Sequence, residues 1–363
     1  MTISRPRRSR RLVLAAAGAT LALAAPAMAD SELYTQTNDP AGNVVQQFDR
    51  ADDGRLLAGK SIETGGLGSA AIGGRQGAVA TSDDGDTIYA INAGSDTVTS
   101  LQDRRRLRVT DTTPSGGSQP VSVDEQDGRV YVLNSGGVPN VTSFRADGKG
   151  RLYRIPGGSQ ELPGAVGAAQ VSVTPDGGTL VVSERLSNRL ETISVARSGR
   201  LGEPVITASS GAVPFGFAIT HAGDIVVSEA GASSVSSYRL GDGGALSAVS
   251  ASLLVGQGAA CWVAVTPDGS FAYTGNASGS ISGYSIDDDG ALHALNANGL
   301  TAAVIPSPRD LAIDSSGRFL YAVSPGNATA PAQVTGYRIG ADGSLEQFTS
   351  QPAAAGLTGA AIS

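Results

Sequence analysis

The sequence predicts an all-β protein, a single seven-bladed β-propeller with four-stranded antiparallel blades. Three observations indicate this fold. Short runs of alternating apolar residues are separated by Gly-rich turns, and the whole pattern recurs every 42 to 55 residues. Repeats of this length with four strands each are typical of propellers. One such sheet cannot bury its own faces, so successive copies must pack against each other around an axis.

The clearest copy of the repeat covers residues 262–292. Three alternating runs, residues 262–265, 271–276 and 280–286, are separated by a Pro-Asp-Gly turn and a Gly/Ser turn and end in Asp289-Gly290. Such turn residues join antiparallel strands tightly. The residues after Leu292 supply a fourth, outer strand, so one copy of the repeat predicts one blade.

An apolar pair in the second strand of each copy can be followed through the chain. The seven pairs are Leu33-Tyr34, Ile88-Tyr89, Val130-Tyr131, Leu180-Val181, Ile225-Val226, Ala272-Tyr273 and Leu320-Tyr321. Their second residues lie 55, 42, 50, 45, 47 and 48 positions apart. Seven copies predict seven blades.

Most copies also close with a glycine turn that is followed by a leucine. These turns are Asp52-Asp53-Gly54-Arg55-Leu56, Asp147-Gly148 with Leu152, Ser198-Gly199-Arg200-Leu201, Asp242-Gly243-Gly244-Ala245-Leu246, Asp289-Gly290-Ala291-Leu292 and Asp342-Gly343-Ser344-Leu345. The second copy departs from the pattern, with Asp103-Arg104-Arg105-Arg106-Leu107. These turns place the third and fourth strands of each blade.

The two ends of the chain predict how the ring closes. The first copy begins at Leu33-Tyr34 with no inner strand before it, whereas residues 359–363 match the inner-strand pattern of residues 310–314. We expect the C-terminal strand to complete the first blade, because a ring of sheets would otherwise leave an unpaired edge.

The first 29 residues are predicted to be a cleaved export signal. Five arginines precede an apolar run at residues 12–25, and the small-residue site Ala27-Met28-Ala29 predicts cleavage before Asp30. Residues 9–14, Ser-Arg-Arg-Leu-Val-Leu, resemble the twin-arginine export motif, with an ordinary secretory signal as the alternative. The mature propeller would then span residues 30–363, in a secreted or periplasmic location.

Composition narrows the classes of partner. The formal charge is −7, and without the five N-terminal arginines 21 basic residues face 33 acidic ones, which leaves about −12. Such a surface disfavours nucleic acid and anionic membranes. We expect no membrane insertion and a monomer. Cys261 is the only cysteine and there are two histidines, so no internal disulfide and no metal site are predicted, and no cofactor is implied. Whether carboxylates hold a calcium ion stays open.

The repeat resembles a known family. Tyr131-Val132-Leu133-Asn134 is similar to the surface propellers named after the Tyr-Val-x-Asn motif. The complete repeat, with its Pro-Asp-Gly and Asp-Gly-x-Leu turns, looks more like the lactonase family, which contains propeller-type 6-phosphogluconolactonases and carboxymuconate cycloisomerases. The resemblance covers roughly residues 32–363 and implies a site at the mouth of the central channel.

Active members of that family carry Pro-Arg-His at the start of an inner strand and a nearby Glu, which together activate a ring carbonyl and handle a proton. Here the corresponding positions hold Ala169-Gln170, Phe215-Gly216, Cys261-Trp262 and, after Pro308, Arg309-Asp310. The seventh copy thus keeps Pro-Arg and replaces His by Asp, and no copy has the His.

Four residues are the catalytic candidates. Glu184 and Glu229 end the second strand in adjacent blades, on the face where the family's sites lie, and Arg309 and Asp310 begin an inner strand. A Glu would serve as general base, and Arg309 would bind an anionic group or polarise a carbonyl. In the alternative, each Glu accepts hydrogen bonds from the following turn or pairs with Arg185 or Arg189.

Five further residues are candidates for ligand binding. Phe215 and Trp262 could floor a cavity, although packing between blades explains them as well. Gln170 occupies one of the family's site positions, and Asn134 and Asn276 stand where Glu184 and Glu229 stand in other blades. Cys261 is interpreted as a small buried apolar residue, and His221 and His293 as surface residues.

Two functions stay open from the sequence. One is an exported lactonase-like hydrolase that opens a lactone or a related ring ester at the channel mouth. The other is a non-catalytic propeller that binds an unidentified ligand or protein partner outside the membrane. The missing His favours the second, and the two glutamates with Arg309 favour the first.

Overall fold

The structure, a computed structural model, describes Met1 and residues 31–57, 59–69, 75–103, 106–304 and 306–363. Apart from Met1, the predicted signal segment and its cleavage site at Asp30 lie outside the described residues. No helix within the described ranges is both long and apolar enough to cross a membrane.

The described residues form seven antiparallel sheets, one for each copy of the repeat. The first sheet contains β1 (Ser31–Thr37), β2 (Val44–Arg50), β3 (Leu56–Leu57) and β4 (Ser61–Glu63). The second contains β5 (Val79–Thr81), β6 (Thr87–Asn92), β7 (Thr97–Gln102) and β8 (Arg108–Pro114). The third contains β9 (Ser118–Gln126), β10 (Arg129–Gly136), β11 (Asn140–Ala146) and β12 (Leu152–Glu161). The fourth contains β13 (Ala168–Val173), β14 (Thr179–Glu184), β15 (Arg189–Val195) and β16 (Leu201–Ala208).

The remaining blades follow the same order. The fifth contains β17 (Pro214–Ile219), β18 (Ile225–Glu229), β19 (Ser234–Leu240) and β20 (Leu246–Leu254), with a short 3-10 turn at Asp242–Gly244. The sixth contains β21 (Ala260–Val265), β22 (Phe271–Asn276), β23 (Ser280–Ile286), β24 (Leu292–Ala294) and β25 (Ala302–Ala303). The seventh contains β26 (Asp310–Ile313), β27 (Phe319–Ser324), β28 (Gln333–Ile339) and β29 (Leu345–Pro352), and β30 (Leu357–Ile362) ends the chain.

The hydrophobic core lies between the blades. Leu180 and Val182 of β14 pack with residues of the third blade, whereas Val181, between them, packs with residues of the fifth. Successive side chains of a strand point to opposite faces of its sheet, so a second strand with apolar residues at every position buries both faces. This explains why the apolar pairs in the sequence are continuous runs.

The last strand closes the ring as predicted. β30 is the inner strand of the first blade and pairs antiparallel with β1, with Leu33 opposite Ile362 and Tyr34 opposite Ala361. The backbone N–H of Ser363 also donates to the carbonyl of Glu32 at 3.0 Å. The seven-bladed fold and its closure by the C-terminal strand are therefore confirmed.

The glycine of each closing turn joins its blade to the preceding blade. Its carbonyl accepts a hydrogen bond from a hydroxyl on the second or third strand of that neighbour. The pairs are Ser100 with Gly150, Ser143 with Gly199, Thr192 with Gly244, Ser237 with Gly290, Tyr273 with Gly343 and Tyr321 with Gly54. In the third blade this glycine is Gly150, two residues beyond Gly148. Between the first two blades, Tyr34 donates instead to Asp103 at 3.4 Å.

The closing turn of the first blade requires glycine at Gly54 for two reasons. Its φ is +82°, a left-handed conformation that strains other residues, and a Cβ there would lie 2.6 Å from the ring of Phe319 in the seventh blade. Phe319 is buried at the junction where the ring closes. The glycine therefore permits close packing of the first blade on the last.

Gly54→Ala is expected to destabilise the fold more than Gly223→Ala does. Gly223 has a similar φ of +93°, but a Cβ there would meet no atom within 4 Å, so Gly223→Ala measures backbone strain alone, of roughly 1–2 kcal/mol. Overlap with Phe319 should add about 1–3 kcal/mol at Gly54. Urea unfolding followed by the fluorescence of Trp262 measures both. Equal losses in the two variants would contradict a packed junction between the first and seventh blades.

Candidate functional site

The strand register places the predicted site residues at one end of the ring. Inner strands begin where second strands end, because Pro214 lies opposite Glu229 and Ala260 lies opposite Asn276. The residues that begin inner strands thus share a face with the residues that end second strands. We call this face the mouth.

The side chain of Glu184 is buried and is held by residues of its own blade. Its carboxylate accepts hydrogen bonds from the hydroxyl of Ser187 and from Nε of Arg189, the latter at 2.7 Å. Nη2 of Arg189 also lies 2.6 Å from Oε1 of the buried Glu191. Burial and the neighbouring Glu184 raise the pKa of Glu191. The two glutamates and Arg189 form a buried ion cluster within the blade.

Glu229, at the same position in the next blade, is also enclosed by donors. Oε1 accepts the backbone N–H of Gly211 at 2.7 Å and the hydroxyl of Ser236 at 2.7 Å, and Oε2 accepts the hydroxyl of Ser234 at 2.6 Å. The side chain has no exposed surface. These bonds tie the end of β18 to the turn before β17 and to β19.

Asn134 and Asn276, at the equivalent position in the third and sixth blades, have the same kind of partners. The amide of Asn276 donates to the hydroxyls of Ser280 at 3.1 Å and Ser282 at 2.9 Å, and that of Asn134 donates to the carbonyl of Ser115 at 3.3 Å. Both side chains are buried. In these blades, as with Glu184 and Glu229, the position organises the strand end, and none of these contacts involves Arg309.

Asp310 joins three inner-strand segments. Its carboxylate accepts the backbone N–H groups of Leu311 at 2.8 Å and Ala360 at 2.9 Å, as well as that of Gly77. Complete burial raises the pKa of this carboxyl well above its ordinary value. Asp310 thus connects the seventh blade to the first and second blades at the channel.

Phe215, Trp262 and Arg309, by contrast, do come together at the mouth. The rings of Phe215 and Trp262 lie 6.0 Å apart in an edge-to-face arrangement. The guanidinium carbon of Arg309 lies 5.4 Å from the Trp262 ring, and those of Arg75 and Arg185 lie 5.6 and 5.3 Å from the Phe215 ring. These five residues are called the arginine–aromatic cluster, and they come from five different blades or their leading loops only through closure of the ring.

The cluster concentrates positive charge. Arg185 and Arg309 each donate one side-chain hydrogen bond to a backbone carbonyl, of Gly167 and Pro308, and neither has a carboxylate partner among the residues described. Burial, with the nearby charge of Arg185, lowers the pKa of Arg75 to about 10, so the Arg75 guanidinium remains charged at neutral pH. Guanidinium groups held on aromatic rings in this way are suited to bind an oxyanion.

The thiol of Cys261 and the indole N–H of Trp262 also bear on the chemistry of the cluster. Burial raises the pKa of the Cys261 thiol to about 11, against the opposing effect of Arg309 and Arg185, so this thiol is protonated and a poor nucleophile at neutral pH. The indole N–H of Trp262 is buried and has no acceptor among the described residues. A buried donor without a partner is costly, so a ligand oxygen at this point would be stabilising.

Two glutamine amides link inner strands of different blades near the cluster. Gln76, from the loop before β5, accepts the N–H of Val263 at 2.8 Å and donates to the carbonyls of Val263 and Phe217. Gln170 donates to the carbonyl of Phe217 at 2.9 Å and accepts its N–H at 2.8 Å. Gln76 thus connects the loop before the second blade to the inner strands of the fifth and sixth blades.

The sequence reasoning missed Arg75, Gln76 and the role of Arg185 at the mouth. One signal was present, because Arg75-Gln76 stands directly before an inner strand, much as Pro308-Arg309 does. Arg185 directly follows Glu184, but it was considered only as an ion-pair partner. The catalytic and binding roles assigned to individual residues remain predictions.

The histidines lie elsewhere. His221 lines a cavity of about 390 Å³ beside the Pro175-Asp176 turn, and His293 lies 3.4 Å from Asp287, with both histidine side chains exposed. No group of three or more His, Cys, Asp or Glu side chains in the described part of the chain is arranged as a metal site.

Comparison with known proteins confirms the resemblance to the lactonase family. The family model described as Lactonase, 7-bladed beta-propeller matches residues 140–261. No curated protein sequence shows significant similarity to the chain.

Several solved structures share the fold. A candidate 6-phosphogluconolactonase from Bacteroides fragilis is 18% identical, with a TM-score of 0.71 over 93% of this chain and 100% of that one. The periplasmic gluconolactonase of Pseudomonas aeruginosa is 15% identical, with a TM-score of 0.72 over 92% and 98%. Hydrazine synthase of Kuenenia stuttgartiensis is 18% identical, with a TM-score of 0.58 over 87% and 97%. At these identities the likeness establishes the propeller fold alone.

Glu191→Gln is expected to flatten part of the pH dependence of stability. Because the folded pKa of Glu191 is raised above its ordinary 4.5, the folded state retains a proton that the unfolded state has lost. Stability from this group is present at low pH and is lost as the pH rises through the folded pKa. The variant should therefore gain stability relative to the wild type between about pH 5 and pH 9, as measured by urea unfolding. The exposed Glu346→Gln is the control, and parallel curves for the wild type and Glu191→Gln would contradict the buried ion cluster.

Proposed function

We propose that this lactonase-like propeller is an exported hydrolase that opens a lactone or a related ring ester at its mouth. One observation carries the proposal, namely that Arg75, Arg185 and Arg309 converge on the rings of Phe215 and Trp262. The related gluconolactonase from Pseudomonas aeruginosa, named as periplasmic, supports both the reaction class and the location. The predicted signal at residues 1–29 supports export.

The cluster offers what ester hydrolysis needs at the carbonyl. Attack of water on the ring carbonyl carbon moves negative charge onto the carbonyl oxygen. The ring C–O bond then breaks, one proton of the water passes to the leaving oxygen, and the new carboxylic acid releases the other to solvent. The guanidinium groups of Arg185 and Arg309 are donors for that developing charge. The hydroxy-carboxylate product would be held by the same arginines until it dissociates.

The arginines carry this proposal, rather than the glutamates. The carboxylate of Glu184 accepts a hydrogen bond from Arg189. The carboxylate of Glu229 accepts hydrogen bonds from Gly211, Ser234 and Ser236. We therefore assign Glu184 and Glu229 a positioning role, in which they hold the strand ends that frame the mouth. Asp310 has an equivalent role at the inner strands.

The internal hydrogen bonds of these carboxylates favour a second candidate function. Since the carboxylates that end the strands are engaged within the fold, the mouth could bind an anionic ligand without turning it over. Such a binding propeller would use the same arginines and aromatic rings. The two functions therefore share a site and differ in turnover.

Arg309→Met is expected to lower kcat/KM for lactone hydrolysis by about 100-fold, the usual cost of losing one donor to a developing oxyanion. The purified chain beginning at Asp30 would be assayed with sugar, aliphatic and aromatic lactones. Arg318→Met is the matched control, because Arg318 also lies over an aromatic ring, 5.0 Å from Phe319, away from the cluster. The control should keep full activity, and thermal melting checks the folding of both variants.

Calorimetry with the ring-opened hydroxy acids separates the two functions. Binding that depends on Arg309, without turnover of any lactone, would establish the binding propeller and overturn the hydrolase. Neither binding nor turnover by a folded protein would overturn both.

A further inference from the structure

A second cavity lies on the flank of the ring, at the end opposite the mouth. It measures about 380 Å³ and lies between the third and fourth blades. Arg129 begins β10, Arg145 lies near the end of β11, Arg154 lies near the start of β12, and Arg197 lies in the closing turn of the fourth blade. Tyr153 and Pro156 also line this cavity. We call it the flank pocket.

The flank pocket holds like charges directly opposite each other. Arg129 and Arg145 are cross-strand partners on β10 and β11, and Arg145 in turn pairs with Tyr153 on β12. Like charges at opposed positions of a sheet are destabilising unless something neutralises them. Nη2 of Arg129 donates to the backbone carbonyl of Arg197 at 2.7 Å, which brings the fourth blade's turn into the same pocket.

No carboxylate within the described residues forms an ion pair with any of the four arginines. Asp147 accepts a hydrogen bond from the hydroxyl of the lining residue Tyr153 at 3.4 Å. Asp147 also accepts the backbone N–H groups of Lys149 at 2.9 Å and Arg151 at 3.0 Å within its own turn. The unneutralised pair Arg129 and Arg145 thus lies at one cavity, which Arg154 and Arg197 also line, on a chain whose formal charge is −7.

We propose that the flank pocket binds a sugar unit that carries an oxyanion, that is, a sulfate, phosphate or carboxylate. Guanidinium forks match the geometry of these groups and bind them with charge-assisted hydrogen bonds. The ring of Tyr153 is 45% exposed, has Arg145 at 5.2 Å from its centroid, and offers a flat apolar surface beside Pro156. The cavity volume fits a ligand of one or two rings.

The charge of the whole chain limits the size of the ligand. The net negative charge of the chain repels a long polyanion, so extended nucleic acid is disfavoured. A free anionic sugar and the terminal unit of an acidic polysaccharide share the chemistry that the pocket recognises. The site is independent of the mouth and of the hydrolysis proposed there.

The test is calorimetric titration of the chain from Asp30 with glucose 6-sulfate, glucuronate, neutral glucose and inorganic sulfate. We expect the two charged sugars to bind, glucose not to bind, and sulfate to bind more weakly than glucose 6-sulfate. The double variant Arg145→Gln/Arg154→Gln should weaken the binding of both charged sugars by at least about 10-fold, the loss expected from removing charge-assisted hydrogen bonds. Both side chains are exposed, so the variant should keep its fold.

Two controls make the result decisive. Arg108→Gln/Arg338→Gln removes the same charge from two exposed arginines outside the pocket and should leave binding unchanged. Arg309→Met removes binding of the same anions to the arginine–aromatic cluster at the mouth, and should leave unchanged the component of binding that Arg145→Gln/Arg154→Gln removes. Failure of both charged sugars to bind, equal weakening of that component in either control, or sulfate binding as tightly as glucose 6-sulfate would overturn the proposal.

A sulfated dextran oligosaccharide distinguishes the two sources of the ligand. Tighter binding than glucose 6-sulfate, lost in Arg145→Gln/Arg154→Gln, supports recognition of a polysaccharide end. Equal binding, lost in the same variant, supports recognition of the free sugar. Binding of the oligosaccharide that persists in that variant would contradict the assigned site.

Discussion

The hydrogen bond between a hydroxyl of one blade and the turn glycine of the next is the contact on which the ring depends. It recurs at six junctions, among them Tyr321 with Gly54, where the last blade meets the first. Each glycine has a positive φ, which turns its carbonyl toward the neighbour. The contact explains why the sequence repeats a glycine followed by a leucine, since one residue supplies the junction and the other fills the space between blades.

The mouth is a consequence of that ring. None of the residues in the arginine–aromatic cluster is adjacent to another in the sequence, and they meet because inner strands begin at one end of seven similar blades. Gln76 shows this dependence most directly, because its amide bonds to Phe217 and Val263 reach residues that lie 141 and 187 positions away in the chain. Loss of the closure would therefore disperse the site before it removed any single side chain.

The fold could be predicted from the sequence because it rests on local patterns that repeat. Apolar pairs, turn glycines and the C-terminal strand each carry their signal within a few residues. The face that these residues share could also be predicted, since Glu184 and Glu229 end second strands and Phe215, Trp262 and Arg309 lie at the start of inner ones. The direction of the carboxylates could not, because Glu184 faces Arg189 only through the register of β14 and β15. Arg75 and Gln76 reach the mouth across the channel, and no local sequence pattern predicts contacts between residues so far apart in the chain.

We propose that the arginine–aromatic cluster binds an oxyanion, whether or not the protein hydrolyses a lactone. The most direct measurement is a crystal structure of the chain soaked with 4-bromobenzoate, an aromatic carboxylate whose bromine is located by anomalous scattering. The account predicts the carboxylate within hydrogen-bonding distance of Arg185 and Arg309, with the ring against Trp262. An unoccupied mouth, or a carboxylate turned away from both guanidinium groups, would contradict it.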